Sequence, residues 1–226
     1  MRGGRIVSIL LAVLASGCAS TPAAPWQSLA DTAQWRSVGA ATLDARWQAS
    51  DGELALTAAG GGDIISVGTY GDFELEMEWR LPAGGNSGLF YRAVDASPVW
   101  ARAVEYQLLD DREAEDRIVP CHRAGAVYDL VPPARDVLRP IEASHQTRLV
   151  ACGPRVEHWL NGVRIATYDL DSDDWKRRVA ASKFAGRAEF AKARRGHLAL
   201  QDHGNAVYLR GMRIRALAKD CRPASL

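Results

Sequence analysis

A short stretch of strict alternation constrains the fold more than any other part of the sequence. From Phe73 to Arg80, apolar side chains at the odd positions alternate with charged side chains at the even positions. A period of two, with one apolar and one charged face, indicates an antiparallel β-strand that is covered on one side only. Pro82 and the pair Gly84–Gly85 end the segment. We expect the acidic side chains of the charged face to be exposed to solvent, namely Glu74, Glu76 and Glu78.

Other segments continue the β pattern. Asn161–Gly162 separates two strand-like runs within 155–169, and this dipeptide is typical of the two-residue turn of a β-hairpin. Residues 196–203 and 205–218 read as a second strand pair, and Gly211 is placed to form a β-bulge in the latter. Only 171–195 looks helical in places, with Asp173 or Asp174 as the expected N-cap. The sequence therefore predicts an all-β sandwich or jelly roll of short antiparallel strands, with a short helical insertion near 171–195.

Composition limits the classes of partner. The chain has 226 residues, of which 47% are hydrophobic and 24% charged, which is an ordinary balance for a globular domain. Its formal net charge is +1, and its basic runs are short. A nucleic-acid surface needs concentrated positive charge, so we expect no nucleic acid as a partner.

The N-terminus resembles a bacterial lipoprotein signal. Arg2 and Arg5 precede an apolar run, and small residues lead directly into Cys18. We therefore expect a signal peptide over 1–17, lipidation of Cys18 and a tether over 18–25 that holds the protein on a membrane of the cell envelope, in the periplasm or at the outer membrane. An ordinary secretory signal with an incidental cysteine is the alternative. The globular domain is expected over 26–219, followed by a tail over 220–226.

The other cysteines are Cys121, Cys152 and Cys221. An exported protein can form disulfides, and three cysteines allow one bridge with three alternative pairings. The sequence does not choose among these pairings.

Polar side chains collect on one face of several predicted strands. Alternation places Glu105 and Gln107 on one face of 103–109, and Phe90 and Arg92 on one face of 88–93. In 196–203 the polar set on one face comprises His197, Gln201 and His203. Such side chains beside aromatic rings suit a sugar, whose hydroxyls need polar partners and whose C–H faces need apolar surface. The alternative is that these residues are the ordinary solvent-facing side of antiparallel strands. His145 and His158 are expected to be structural.

Six motifs in a fixed order resemble the 3-keto-disaccharide hydrolase family. They occupy residues 86–92, 105–110, 125–129, 158–162, 182–184 and 196–204, and the likeness runs from about Trp47 to Arg215. The resemblance implies a concanavalin-like jelly roll with a sugar site in the concave sheet. It also implies cleavage of a glycosidic bond in a sugar whose C3 has been oxidised to a ketone.

The resemblance assigns roles to residues by motif position. Glu105 and His203 are the catalytic or metal-binding candidates, and Asp202 is expected to support His203. In one alternative, the Glu105 carboxylate and the His203 imidazole ligate a divalent cation. In the other, His203 acts directly as a base. The resemblance implies no cofactor apart from this possible divalent metal ion. The proposed substrate contacts are Asn86, Arg92, Gln107, Asp110, Tyr128 and Lys183.

Two competing functions remain open at this point. The same fold serves non-catalytic carbohydrate-binding modules, and a structural envelope protein can also be a β-sandwich. Cys121–Arg123 and the following Pro132–Pro133 depart from the family pattern and are expected near the mouth of the cleft. Substrate size and aglycone preference therefore stay undetermined.

Overall fold

The computed structural model describes residues 24–140, 143–218 and 221. Within this part of the chain almost all regular structure is β. The strands are β1 (Gln27–Ser28), β2 (Trp35–Ser37), β3 (Trp47–Ser50), β4 (Glu53–Leu56), β5 (Ile64–Ser66), β6 (Phe73–Arg80), β7 (Asn86–Ala93), β8 (Val104–Leu109), β9 (His145–Cys152), β10 (Arg155–Leu160), β11 (Val163–Asp169), β12 (His197–Leu200) and β13 (Val207–Ala216). The α-helix is α1 (Asp173–Ala180), and short 3₁₀ turns cover Thr32–Gln34, Val99–Ala101, Glu115–Ile118 and Pro120–His122.

The strands form two antiparallel sheets. The larger sheet has the order β11-β10-β9-β6-β13-β4-β3, with β1 also paired to β13. The smaller sheet has the order β2-β5-β12-β7-β8. An extensive apolar core includes side chains from both sheets, such as Leu75 and Trp79 of β6 and Tyr106 and Leu108 of β8. The predicted all-β sandwich with a helical insertion is confirmed.

The alternating segment is β6, and its apolar face lies in the core as predicted. On the charged face, Glu78 is exposed, but Glu74 is only 4% exposed. Arg148 and Arg215 both bind the Glu74 carboxylate from the neighbouring strands. Burial opposes ionisation of Glu74, but the hydrogen bonds from the two guanidinium groups outweigh it and hold its pKa below the ordinary value. The expectation of a solvent-exposed Glu74 is therefore wrong, because long arginine side chains cover it.

The predicted hairpin is present with its predicted turn. Leu160 of β10 pairs with Val163 of β11, which leaves a two-residue loop. Asn161 and Gly162 have φ angles of 50° and 81°. Positive φ at both central positions is the requirement of a type I′ turn, and Asn–Gly meets it with little strain.

The predicted pairing of the last two strands is wrong. β12 pairs with β5 and β7 in the smaller sheet, whereas β13 pairs with β4 and β6 in the larger one. The turn between them crosses from one sheet to the other, and alternation along a strand carries no information about which sheet it joins. The bulge in β13 is confirmed, since the register with β6 shifts between Arg210 and Arg213 and Gly211 has a φ of 59°.

The helical insertion begins one residue earlier than expected. Ser172, not Asp173 or Asp174, is the N-cap of α1, and its hydroxyl accepts a hydrogen bond from the Trp175 amide. The two aspartates lie instead in the first turn of the helix, where negative charge is favourable.

The structure resolves the cysteine pairing. Cys152 and Cys221 form a disulfide, and Cys121 is the free cysteine of the described residues. Cys221 belongs to the segment expected as a tail, and the disulfide joins this residue to the last residue of β9. The proposed signal peptide and the lipidation at Cys18 lie outside the described residues. Among the residues described, no helix combines the length and apolar character needed to cross a bilayer.

Candidate functional site

The predicted polar face lies on the side of the smaller sheet opposite the sandwich core. In the pairing of β7 with β8, Phe90 lies opposite Glu105 and Gly88 lies opposite Gln107. Residues directly opposite each other in antiparallel strands project to the same face. A small apolar cluster, separate from the main core, lies on this face and includes Ile65, Phe90 and Ala199. The sheet thus carries a carboxyl group and an amide beside a small buried apolar cluster.

Glu105 is the most unusual side chain of this face. It is only 5% exposed, yet its carboxylate has no hydrogen-bond partner among the described residues. The carboxylate lies over Gly88, where the Cβ of any larger residue would overlap with it. Glycine at position 88 is therefore required for the observed placement of Glu105.

Burial raises the pKa of Glu105 to about 8. The Lys183 ammonium opposes the shift, and the carboxylates of Asp63 and Asp116 add to it. Desolvation is the larger effect, because burial removes most of the water that would stabilise the charged form of the carboxyl group. A carboxyl group that titrates near neutral pH is a candidate general acid or base.

Substituting Glu105 with glutamine is expected to stabilise the fold at alkaline pH. The folded state keeps a proton that the unfolded chain loses near the ordinary pKa of 4.5, so the free energy of unfolding falls as pH rises toward about 8. Glutamine does not titrate. The difference in free energy of unfolding between E105Q and the wild type should therefore grow in favour of E105Q by about 1.4 kcal/mol per pH unit between the two pKa values. Below the lower pKa this pH-dependent difference should vanish. Denaturant unfolding at pH 4.5 to 8.5 measures it, and an advantage independent of pH would contradict a buried titrating carboxyl.

Lys183 and Tyr128 lie together beside Glu105. The Lys183 ammonium is 4.0 Å from the centre of the Tyr128 ring and 5.1 Å from that of Trp100. Tyr128 donates its backbone N–H to the Glu105 carbonyl, so the segment that carries it is paired to the edge of β8. Burial lowers the pKa of Lys183, and the nearby carboxylates, with Glu105 foremost, oppose that shift. A cation held by aromatic faces close to a buried carboxyl can stabilise developing negative charge.

Two buried amide oxygens have no partner. The Gln107 amide nitrogen donates to the Asn86 side-chain oxygen at 3.1 Å. The Gln107 oxygen and the Gln201 oxygen are both buried without a hydrogen bond from any described residue. Gln201 is held on the adjacent strand, where its backbone N–H donates to the Gly88 carbonyl. Unpaired buried acceptors are costly, so the two amides are suited to receive hydroxyl donors from a ligand.

Asp63 is a functional candidate that the sequence did not reveal. Its carboxylate accepts the Asp202 N–H at 3.0 Å. Burial raises the pKa of Asp63, the charge of Asp202 adds to the rise, and His203 opposes it. Because the charge of Asp63 also acts on Glu105, Asp63 lies within electrostatic reach of both predicted catalytic residues. The preceding run of glycines, 60–62, indicated only a turn, although a turn entering a strand is also a place where a carboxylate can be positioned.

Asp202 does not orient His203. Its side-chain oxygens accept the backbone N–H groups of Gly60, Gly62 and Gly204, and His203 itself is exposed. Asp202 therefore fixes the turns around Asp63. Its expected support of His203 by direct contact is not found within the described residues.

Arg92 and Asp110 are not brought to Glu105. Arg92 has a φ of 52°, which turns its guanidinium toward the Gly71 carbonyl and Asp72. Its neighbour Ala93 joins the apolar cluster of Phe90 instead. The Asp110 carboxylate accepts the backbone N–H groups of Gly84 and Arg112. Both residues thus stabilise loops, and alternation alone could not show this.

His145 and His158 have the structural roles expected of them. His158 is fully buried, and its two ring nitrogens contact the Tyr91 hydroxyl and the Gly125 carbonyl. Burial lowers the pKa of His158 to about 4, so the ring is neutral at physiological pH. His145 packs against Trp79 with 4.6 Å between ring centres.

One cluster of possible metal-ligand side chains does not include Glu105 or His203. Among the described residues, one group of three or more His, Cys, Asp or Glu side chains has its ligand atoms within 4.8 Å of one another. It consists of Cys121, His122 and Asp129. Glu105 and His203 belong to no such group.

Comparison with known proteins points to one family. The sequence model described as the 3-keto-alpha-glucoside-1,2-lyase-like domain matches residues 25–215. A protein of Bacteroides thetaiotaomicron named 3-keto-disaccharide hydrolase is 27% identical over 216 residues, which cover 81% of this chain and 74% of that protein.

Two solved structures extend the comparison. A protein from Parabacteroides distasonis, provisionally named a glycosyl hydrolase, superposes with a TM-score of 0.78 at 25% identity, covering 85% of this chain and 94% of that one. A Bacillus subtilis protein described as having a galectin-like fold has a TM-score of 0.57 at 13% identity, with 87% and 97% of the two chains covered. The latter likeness shows the fold alone, and it agrees with the predicted jelly roll.

Proposed function

Because the chain belongs to the 3-keto-alpha-glucoside-1,2-lyase-like family and is similar to a protein named 3-keto-disaccharide hydrolase, we propose that it cleaves the glycosidic bond of 3-keto-glycosides by elimination. The observation that carries this proposal is Glu105, a buried carboxyl without a hydrogen-bond partner among the described residues, beside a lysine ammonium and two unpaired amide oxygens. Most enzymes that hydrolyse unoxidised sugars use a pair of carboxylates flanking the scissile bond, whereas elimination needs one base and one electrophile.

Glu105 serves as the base that removes the C2 proton. A ketone at C3 acidifies this proton, because the electrons of the C2–H bond move into an enolate. The C1 substituent lies β to the ketone, so the enolate then expels the aglycone oxygen and forms a C1–C2 double bond conjugated with the ketone. A base whose pKa is close to the working pH transfers such a proton efficiently.

Lys183 serves as the electrophile for the developing enolate oxygen. Its ammonium lies against the Tyr128 ring and interacts electrostatically with the Glu105 carboxylate. A fixed positive charge in partly desolvated surroundings stabilises an oxyanion more strongly than bulk water does. The amides of Asn86, Gln107 and Gln201 receive the ring hydroxyls of the sugar.

Asp63 and His203 serve the leaving group. The aglycone oxygen needs a proton as the C1–O bond breaks, and an exposed imidazole near a carboxylate can supply it. If water then adds to C1 and a proton returns to C2, the net reaction is hydrolysis. If the unsaturated ketone is released before water adds, the net reaction is that of a lyase.

A panel of matched glycosides tests the proposal. The full chain is incubated with glucosides and disaccharides in their 3-oxidised and unoxidised forms, and aglycone release is followed together with NMR of the sugar product. Turnover confined to the oxidised forms supports elimination, and the product distinguishes hydrolase from lyase. Saturable sugar binding without turnover would instead identify a carbohydrate-binding module. If the protein neither binds nor cleaves any of the sugars, the remaining interpretation is a structural protein of the cell envelope.

We also propose that the chain is anchored in the cell envelope through lipid on Cys18. Attached acyl chains would hold the catalytic domain near a membrane, since more than one chain is needed for stable anchoring. Expression of C18S should move the protein from the membrane fraction to the soluble exported fraction. An unchanged membrane fraction would contradict lipidation at this residue.

A further inference from the structure

The segment that borders Glu105 brings together a cysteine, a histidine and an aspartate. Val127 bridges Tyr106 at the edge of β8 and also Val131, so the chain folds back on itself here. Asp129 donates its backbone N–H to the Cys121 carbonyl at 2.9 Å and has a φ of 61°. This tight return places the Asp129 carboxylate against the 3₁₀ turn that carries Cys121 and His122.

The three donor atoms lie close together. His122 Nε2 and an Asp129 oxygen are 3.1 Å apart. Two such ligands bound to zinc at their usual distances lie ~3.4 Å from each other. All three donor atoms lie within 4.8 Å of one another. Small side-chain adjustments would therefore bring the three donors onto one ion.

Neighbouring groups already hold the His122 ring and the Asp129 carboxylate in position. The Nδ1 atom of His122 is buried without a hydrogen bond, and the nearest carboxylate oxygen, from Asp116, is 3.5 Å away. A histidine that ligates a metal commonly donates its second ring N–H to a carboxylate. The other Asp129 oxygen accepts the Lys183 backbone N–H at 2.7 Å, and the Tyr128 ring stacks on His122 with 4.3 Å between centres. Ring and carboxylate are thus both fixed in orientation.

We propose that Cys121, His122 and Asp129 bind a divalent transition metal, with Zn²⁺ as the expected ion. Thiolate, imidazole and carboxylate are the ligands that zinc takes in proteins, whereas hard cations such as Mg²⁺ avoid sulfur. Three protein ligands leave a fourth position for water or a substrate oxygen. The site has neither Glu105 nor His203 as a ligand, although Tyr128 and Lys183 lie beside both this site and Glu105. Metal binding can therefore be measured without reference to the elimination reaction.

Titration of the full chain with metal tests this site. The protein is stripped with a chelator and then titrated with Zn²⁺ by calorimetry. We expect one ion per chain, and a rise in Tm of about 5–10 °C at a hundredfold excess over the Kd. Co²⁺ should give a near-ultraviolet charge-transfer band, which reports a thiolate ligand.

Variants decide where the ion binds. C121S should abolish the cobalt band and, like H122Q and D129N, remove the zinc-dependent rise in Tm. C18S and H203N are the matched controls and should retain both. Thermal unfolding of each variant in chelator confirms that it folds. Stoichiometric binding that survives C121S, binding lost in H203N, or no binding by the wild type would each overturn the proposal.

Discussion

Replacing Glu105 with glutamine is expected to lower kcat/KM for a 3-keto-glycoside by about 10²–10⁴-fold, the usual contribution of a general base. Glutamine keeps the size of the side chain and its place over Gly88 but cannot accept the C2 proton. In the wild type, kcat/KM should rise with pH and level off above the Glu105 pKa of about 8, because the base acts only after losing its proton. The E105Q variant should lose this limb of the profile.

Glu78 offers a matched control for this substitution. It is a glutamate in a strand of the other sheet and is exposed. E78Q should keep the wild-type rate and pH profile. Wild-type turnover in E105Q, with the pH limb unchanged, would mean that another group removes the proton.

Replacing Lys183 with methionine is expected to lower kcat/KM by about 10²–10³-fold, the cost of removing one group that stabilises an oxyanion. The substitution should also shift the rising limb of the pH profile toward higher pH. Lys183 opposes the upward shift of the Glu105 pKa, so its loss lets burial raise that pKa further. A residue that only held neighbouring side chains in place would lower the rate without moving the pH profile.

Lys192 serves as the control for Lys183. It follows in the same connection between α1 and β12 but is exposed to solvent. K192M should leave both the rate and the pH profile unchanged. If K183M moved neither quantity, the enolate oxygen would have to be stabilised by a different group.

The sequence predicted the parts of this fold that depend on local patterns. Alternation identified β6, and Asn161–Gly162 identified the hairpin, because side-chain direction and turn conformation are set by neighbouring residues. Glu105 and Gln107 were placed on one face for the same reason, and the structure confirms that arrangement by pairing them opposite Phe90 and Gly88.

The errors concern contacts that depend on distant segments. Alternation assigned Glu74 to solvent, but arginines from two other strands bury it. Alternation also assigned Arg92 to the polar face, but the positive φ of Arg92 itself turns its side chain elsewhere. Asp63 was missed because its role depends on a turn, 202–204, that is remote in sequence. Such relations depend on tertiary structure, which a single sequence does not display.

The most direct test of the account is a kinetic isotope effect at C2. A 3-keto-glucoside carrying deuterium at C2 is compared with its protium form, and aglycone release is measured under kcat/KM conditions. Abstraction of this proton by Glu105 predicts slower release from the deuterated substrate, and it predicts that E105Q lowers release while the unoxidised glucoside stays intact. Equal rates for the two isotopologues, together with cleavage of the unoxidised glucoside, would contradict elimination and point to direct hydrolysis at C1.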